Sequence, residues 1–139
     1  MLDTHVWIWL LNADRRLGSH ARAAIERAAG DDGVGLSTIT PWEVSMLAAR
    51  GRLALGREPR DWLEYHVSRP GFVLHPLSVA IAVDSNTLPP APDGLPHGDP
   101  ADRIIVATAR QLDVPLVTAD RRILAYGVAG QVKTLDAAA

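Results

Sequence analysis

The chain has 139 residues, 47% of them hydrophobic, which is enough for one domain with a substantial core. It contains no cysteine, so disulfides, thiolate metal sites and cysteine nucleophiles are excluded. The formal net charge of −2 argues against a broad basic surface that binds nucleic acid through counterion release alone. It does not exclude a nuclease, because an acidic metal pocket by itself lowers the net charge.

The chain begins with the segment MLDTHVWIWLLN, in which an acid and a histidine precede a short apolar run. This run lacks the basic region of a signal peptide and is shorter than a membrane span. We therefore expect a soluble, cytoplasmic protein.

Short apolar runs that are typical of strands alternate with helical patterns along the chain. The predicted strands span residues 1–5, 34–38, 72–75, 115–118 and 132–135. The predicted helices span residues 6–12, 19–29, 41–50, 59–67, 78–86, 100–112 and 120–125, and a loop rich in proline and glycine spans 88–98. This alternation predicts an α/β fold in a single domain, 1–139, with a doubly wound, mainly parallel five-stranded sheet flanked by helices.

Four acidic residues stand where such a sheet would bring them to one edge: Asp3, Glu43, Asp102 and Asp120. In open α/β sheets, ligands bind outside the carboxyl ends of the strands. Carboxylates 4 Å apart repel each other by roughly 4 kcal/mol per pair at an effective dielectric of about 20. A cation between them would relieve this repulsion, so the set predicts a divalent metal site.

Helix capping offers a structural alternative for three of these acids. Thr40 fits as an N-cap with Glu43 as its capping-box partner, and Asp99 fits as a cap three residues before the next acid. Asp120 can likewise cap a short helix, whereas Asp3 has no obvious capping duty. The complete set therefore favours the metal site. The two interpretations are compatible, because the positive end of a helix keeps a carboxylate ionised, as a metal ligand must be.

Ligation by carboxylates suits Mg²⁺ or Mn²⁺ better than zinc, since hard oxygen ligands and water form the octahedral shell that these ions prefer. The histidines show no metal-ligand spacing, and we interpret most of them as surface or packing residues: His5, His20, His66, His75 and His97. His97, two residues before Asp99, is the exception and is a candidate for the outer shell of the site.

The segments L-D-T-H-V-W, S-T-I-T-P-W-E-V, H-G-D-P-A-D-R-I-I-V-A-T-A and L-V-T-A-D resemble the PIN-domain family, specifically VapC-type toxins of bacterial toxin–antitoxin pairs. The resemblance covers almost the entire chain. It implies a PIN-like fold and an endoribonuclease that depends on Mg²⁺ or Mn²⁺. The catalytic and metal-holding carboxylates would be Asp3, Glu43, Asp102 and Asp120. Asp99 would either join the outer metal shell or only cap its helix.

Several polar residues are further candidates for this site. Ser37 and Thr118 resemble hydroxyls that line such pockets, although both positions also suit ordinary strand-end hydrogen bonds. Arg103 is a candidate phosphate contact, with a surface salt bridge as the favoured alternative. The densest basic stretch is a candidate RNA-backbone surface or a solvated connection between helices: Arg50, Arg52, Arg57 and Arg60.

Most of the four tryptophans are interpreted as residues of the core or of a subunit interface rather than as RNA-stacking platforms: Trp7, Trp9, Trp42 and Trp62. The resemblance further implies three partners. They are an RNA substrate, an antitoxin whose tail wraps a groove of the toxin, and a second copy of the chain in a homodimer.

The alternative function is a non-catalytic or receiver-like metal-binding module of similar α/β architecture. A receiver domain needs a lysine at a late strand end, and the only lysine, Lys133, lies in the last predicted strand outside any matching motif. A silent binding module is disfavoured because all four acids are present. Phosphodiester hydrolysis needs only an activated water and stabilised oxygens, which metal ions supply.

Overall fold

The computed structural model describes residues 1–92 and 98–139, and helices and strands alternate along these two parts of the chain. The helices are α1 Thr4–Leu11, α2 Ser19–Gly30, α3 Ile39–Ala49, α4 Pro59–Val67, α5 Val79–Asp84, α6 Pro100–Leu112 and α7 Arg121–Val128. The strands are β1 Val34–Ser37, β2 Phe72–His75, β3 Leu116–Thr118 and β4 Thr134–Asp136. Within the described residues, no helix has the length and apolar character needed to cross a membrane.

Two parallel strand pairs, β1 with β2 and β3 with β4, are joined by the start of the chain. The Leu2 N–H donates to the Gly35 carbonyl at 2.9 Å, and the Asp3 N–H donates to the Val117 carbonyl at 3.0 Å. Residues 1–3 therefore lie between β1 and β3, where they form an isolated parallel bridge. The predicted strand 1–5 is shorter in the structure, because Asp3 already caps α1, which begins at Thr4.

Helices cover both faces of the strands. Residues that are adjacent in sequence therefore pack into different hydrophobic cores. Leu2 and Val117 pack into one cluster with residues of α1, α2 and α4, whereas Met1 and Leu116 pack into a second cluster with residues of α5, α6 and α7. Successive side chains of an extended chain point to opposite faces. The two clusters therefore correspond to the two sides expected of a doubly wound fold.

The predicted helix positions agree with the observed ones within a few residues, but two capping predictions are wrong. The helix α3 begins at Ile39 after Thr38, so Thr40 is not its N-cap but a fully buried residue inside its first turn. Asp3 does have a capping duty, because its side chain accepts a hydrogen bond from the Thr4 N–H. The predicted caps at Asp99 and Asp120 are confirmed.

The tryptophans divide between the core and the surface. Trp7 is fully buried, and its ring makes edge contacts with Trp62 at 5.7 Å and with Phe72 at 6.3 Å between ring centroids. Trp42 is 54% exposed, so it is not a core residue, and its place at a subunit interface stays a prediction. The buried residues Thr40 and Val44 mark the inner face of α3, and Trp42, midway between them, lies on the opposite side.

Gly127 generates a prediction for the packing of α7 against β4. A Cβ atom at this position would overlap the Thr134 side chain, lying 2.7 Å from its Cγ2. We expect Gly127→Ala to lower the free energy of unfolding by about 1–3 kcal/mol, because overpacking outweighs the gain in helix propensity. Urea denaturation measures this change.

Gly30→Ala is the matched control, since a Cβ at the last residue of α2 meets nothing within 4 Å. This variant should be neutral or more stable by up to about 1 kcal/mol. Equal stabilities of the two variants would contradict the close contact between α7 and β4.

Candidate functional site

The four predicted acids lie at or near the starts of helices, and three of these helices, α1, α3 and α7, follow extended segments. Asp3 ends the N-terminal segment and caps α1, and Asp120 follows β3 and caps α7. Glu43 lies in α3, which follows β1, and Asp102 lies in the first turn of α6. Because the strands are parallel, the starts of α1, α3 and α7 lie at the same carboxyl edge.

Asp3 is the most deeply buried of these acids, with 2% of its surface exposed. Its Oδ1 accepts a hydrogen bond from the Thr4 N–H at 2.7 Å, and its Oδ2 accepts one from the Thr118 hydroxyl at 2.6 Å. The Thr118 hydroxyl in turn accepts a hydrogen bond from the Asp120 N–H at 3.0 Å. Thr118 therefore connects the Asp3 carboxylate to the backbone of Asp120, and its place in a metal pocket stays a prediction.

Glu43 is held by a second threonine. The Thr4 hydroxyl donates to Glu43 Oε1 at 2.6 Å and lies 3.1 Å from the hydroxyl of Thr40. Burial raises the pKa of Glu43, and the charges of Asp3 and Asp99 raise it further, while the hydrogen bond from Thr4 lowers it. The carboxylate therefore lies close to other negative charges and is partly shielded from water.

Asp102 shows the effect of the acidic surroundings most clearly. Burial raises the pKa of its carboxyl to about 8, and the charges of Asp3, Asp99, Glu43 and Asp120 raise it in the same direction. Carboxylates shift each other's pKa in this way only when they are close in space. Four separate segments of the chain therefore contribute negative charge to one site.

The chemistry of this site fits a hard divalent cation, although the side chains do not form a complete cage. Across residues 1–92 and 98–139, no group of three histidine, cysteine, aspartate or glutamate side chains is arranged to hold a metal ion. Mg²⁺ usually binds through one or two carboxylates and keeps several waters, so it does not need such a cage. A cation would also relieve the repulsion that raises the pKa of Asp102.

The remaining polar candidates differ in their relation to the site. Ser37 is buried, and its hydroxyl accepts the Ile39 N–H at 3.2 Å, a local hydrogen bond at the start of α3. Asp99 is exposed and caps α6 by accepting the Ala101 N–H at 2.8 Å, while its charge acts on Glu43 and Asp102. His97 lies outside the described residues.

The arginine candidates lie on two segments, the connection between α3 and α4 and the first turns of α6. Arg50 follows α3, and the stretch from there to the first turn of α4 carries the other three exposed arginines. The Arg57 guanidinium lies over the Tyr65 ring at 5.9 Å. Arg103 donates from Nη1 to the Gly98 carbonyl at 3.2 Å. Contact of these side chains with RNA remains a prediction.

Sequence reasoning missed three residues that contact the acids or their neighbours. Thr4 and Thr40 form the hydroxyl pair beside Glu43. His5 accepts the Ala119 N–H on Nε2 at 3.1 Å, and its Nδ1 lies 3.4 Å from Asp3 Oδ2. The adjacency of Thr4 and His5 to Asp3 was the available signal, but their partners are far away in sequence.

Comparisons with known proteins agree with this architecture. A family model described as the PIN domain matches residues 1–129. The chain is 34% identical over 129 residues to ribonuclease VapC22 of Mycobacterium tuberculosis, and this match covers 91% of the chain and 90% of that protein.

The fold is similar to the crystal structure of VapBC2 from Rickettsia felis bound to a DNA fragment from their promoter. The TM-score is 0.68 at 16% sequence identity, with 97% of this chain and 96% of that chain covered. The α/β fold and the family resemblance predicted from the motifs are both confirmed. The chain belongs to the PIN-domain family.

Proposed function

We propose that the chain is an endoribonuclease that requires Mg²⁺ or Mn²⁺ and acts in the cytoplasm as the toxin of a toxin–antitoxin pair. The observation that carries this proposal is the meeting of acids from four segments of the chain around Asp102, whose pKa is raised first by burial and further by the charges of the other acids. The similarity to ribonuclease VapC22 supports RNA as the substrate class.

Asp3, Asp102 and Asp120 are the residues that would hold the ion, directly or through water, with Glu43 beside them. When bound, the ion supplies an activated water and neutralises the charge that develops on the phosphoryl oxygens. The Thr4 N–H and the Thr118 hydroxyl hold the Asp3 carboxylate in one orientation. Glu43 would either ligate a second ion or, with its raised pKa, orient the attacking water and accept its proton. No side-chain nucleophile is required.

The exposed arginines between α3 and α4 are our candidate contacts for the RNA backbone: Arg50, Arg52, Arg57 and Arg60. Guanidinium groups pair with phosphate through two parallel hydrogen bonds, which suits a binding surface beside an acidic site. Arg103, adjacent to Asp102, is a further candidate for a phosphate contact.

An antitoxin and a second copy of the chain are the proposed protein partners. The structurally similar VapBC2 was crystallised with DNA from their promoter, which supports a partner of the antitoxin type. Five exposed apolar residues lie close together in sequence around β2 and α5, and they offer a surface for the second copy: Val73, Leu74, Leu77, Val79 and Val83.

Replacement of Asp3 tests the metal site. We expect Asp3→Asn to reduce RNA cleavage by about three orders of magnitude or more, because several kcal/mol of charge stabilisation is lost while the capping group is kept. The assay compares cleavage of structured RNA in EDTA and after addition of Mg²⁺ or Mn²⁺.

Asp99→Asn is the control for this test, since asparagine also caps helices well and Asp99 is exposed. It should lose far less activity than Asp3→Asn. Full metal-dependent activity in Asp3→Asn would overturn the site, and absence of both cleavage and metal binding in the wild type would favour a non-catalytic binding module.

The raised pKa of Asp102 generates a prediction for the metal-free protein. The folded chain keeps a proton on Asp102 up to a pKa of about 8, whereas the unfolded chain releases it near 3.8. The proton on Asp102 therefore contributes to the free energy of unfolding. This contribution is fully present below about pH 4 and is lost as the pH rises through about 8. Urea denaturation in EDTA across this range measures the decrease.

Asp102→Asn should remove this part of the pH dependence. Comparison with the variant isolates Asp102, because other titrating groups, such as the Met1 amino group with its pKa lowered to about 6 by burial, are the same in both proteins. An identical pH profile for the wild type and the variant would contradict the proposed electrostatics.

The homodimer is tested by placing charge on the apolar surface around α5. Val79→Glu and Val83→Glu should convert a dimer to a monomer in analytical ultracentrifugation, because a buried unpaired carboxylate costs several kcal/mol at an interface. Val128→Glu, at an exposed apolar position at the end of α7, should remain a dimer. Unchanged association of all three variants would contradict this surface.

A further inference from the structure

We infer that Thr4 and Thr40 are positioning residues that hold the Glu43 carboxylate in the orientation used for catalysis. This inference rests on the proposed nuclease function. It gives a positioning role to two hydroxyl groups that are not themselves proposed as metal ligands. Thr4 is the first residue of α1, and Thr40 and Glu43 lie in the first turns of α3. The contact therefore joins two helices that each carry a catalytic acid at or near their start.

The distances define a chain of hydrogen bonds that ends on the carboxylate. The Thr4 hydroxyl lies 2.6 Å from Glu43 Oε1, a distance typical of a hydroxyl that donates to an ionised acceptor. A threonine hydroxyl has one proton, so a Thr4 that donates to Glu43 can only accept from Thr40, 3.1 Å away. The direction from Thr40 to Thr4 to Glu43 follows from this count. Each bond in such a chain polarises the next.

Both hydroxyls are buried, so each of them needs a hydrogen-bond partner within the protein. Thr4 and Thr40 are 4% and 0% exposed, and burying a hydroxyl is costly unless it forms a hydrogen bond. A buried threonine in a helix commonly satisfies its hydroxyl on the carbonyl four residues earlier. Thr108 in α6 does this, donating to the Ile104 carbonyl at 2.7 Å. Thr40 is the second residue of α3 and has no carbonyl of its own helix four residues before it, so its hydroxyl is satisfied by Thr4, a side chain of another helix.

A substitution at Thr4 can remove the hydrogen bond to Glu43 without removing the hydrogen bond to Asp3. Its backbone N–H donates to Asp3, whereas its hydroxyl donates to Glu43, so the two acids are held by different atoms of one residue. Thr4→Val keeps the shape and the backbone donor and deletes only the hydroxyl. Thr4→Ser keeps the hydroxyl and deletes only the methyl group.

The experiment measures metal-dependent RNA cleavage and, separately, Mn²⁺ binding by calorimetry in the absence of RNA. We expect Thr4→Val to lower kcat and Mn²⁺ affinity by about 10-fold to 100-fold, the range usual for residues that orient a metal-site carboxylate. Thr40→Val should cause a smaller loss in the same direction. Thr4→Ser should restore both quantities to near the wild-type values.

Two comparisons separate a positioning role from a general structural one. Thr108→Val, which removes a buried helical hydroxyl elsewhere, should leave cleavage and Mn²⁺ affinity unchanged. In a Glu43→Gln background, Thr4→Val should cause no additional loss of Mn²⁺ affinity, because its effect passes through the Glu43 carboxylate. The urea midpoints of all variants establish that each protein is folded.

The inference is overturned if Thr4→Val retains wild-type cleavage and Mn²⁺ affinity, or if it causes the same loss with and without the Glu43 carboxylate. An equal loss in Thr108→Val would overturn it as well. Wild-type protein that neither cleaves RNA nor binds Mn²⁺ would overturn the proposed function and the inference together. Because the wild type is measured first, that failure is distinct from a failure of the threonines alone.

Discussion

The backbone hydrogen bonds of residues 1–3 are the interaction on which the rest of this structure depends. Leu2 bonds to β1 on one side, and Met1 and Asp3 bond to β3 on the other, so the start of the chain connects two separate strand pairs. The same bonds divide the apolar side chains between two cores, since Met1 and Leu2 point to opposite faces. They also bring Asp3 to the carboxyl edge of the sheet.

Electrostatic repulsion opposes this arrangement, and hydrogen bonds to the acids offset it. Asp3 receives the Thr4 N–H and the Thr118 hydroxyl, and Glu43 receives the Thr4 hydroxyl. Such donors stabilise the ionised form of a carboxylate. For Asp102, burial and the surrounding negative charges dominate, and they raise its pKa to about 8. The chain keeps a locally unfavourable site because two apolar cores hold the elements around it in place.

Helix capping and the proposed metal binding use the same residues in this protein. Asp3 and Asp120 accept hydrogen bonds from the first N–H groups of α1 and α7, and these bonds fix the carboxylates at the ends of the strands that precede them. A side chain oriented by its own helix needs little further ordering when a cation binds. The capping and metal-site interpretations of these acids are therefore two aspects of one arrangement.

The sequence by itself determined the features that depend on local patterns. Hydrophobic periodicity gave the positions of the helices and the later strands, the spacing in D-P-A-D gave the cap at Asp99, and the four motifs together gave the PIN-domain family. Asp3, Glu43, Asp102 and Asp120 could be chosen because parallel strands bring their carboxyl ends to a common edge. Each of these conclusions needs only residues that are close together in the chain or a general property of the fold.

Only the tertiary structure decided which side chains surround these acids and which face of each helix is exposed. The bond between Thr118 and Asp3 joins residues 115 positions apart, and the bond between Thr4 and Thr40 joins residues 36 positions apart. Trp42 stands in an apolar stretch of sequence between the buried residues Thr40 and Val44, but its side chain lies on the solvent-exposed side of α3. Short-range patterns do not determine such contacts, because they depend on how helices rotate and pack once the cores have formed.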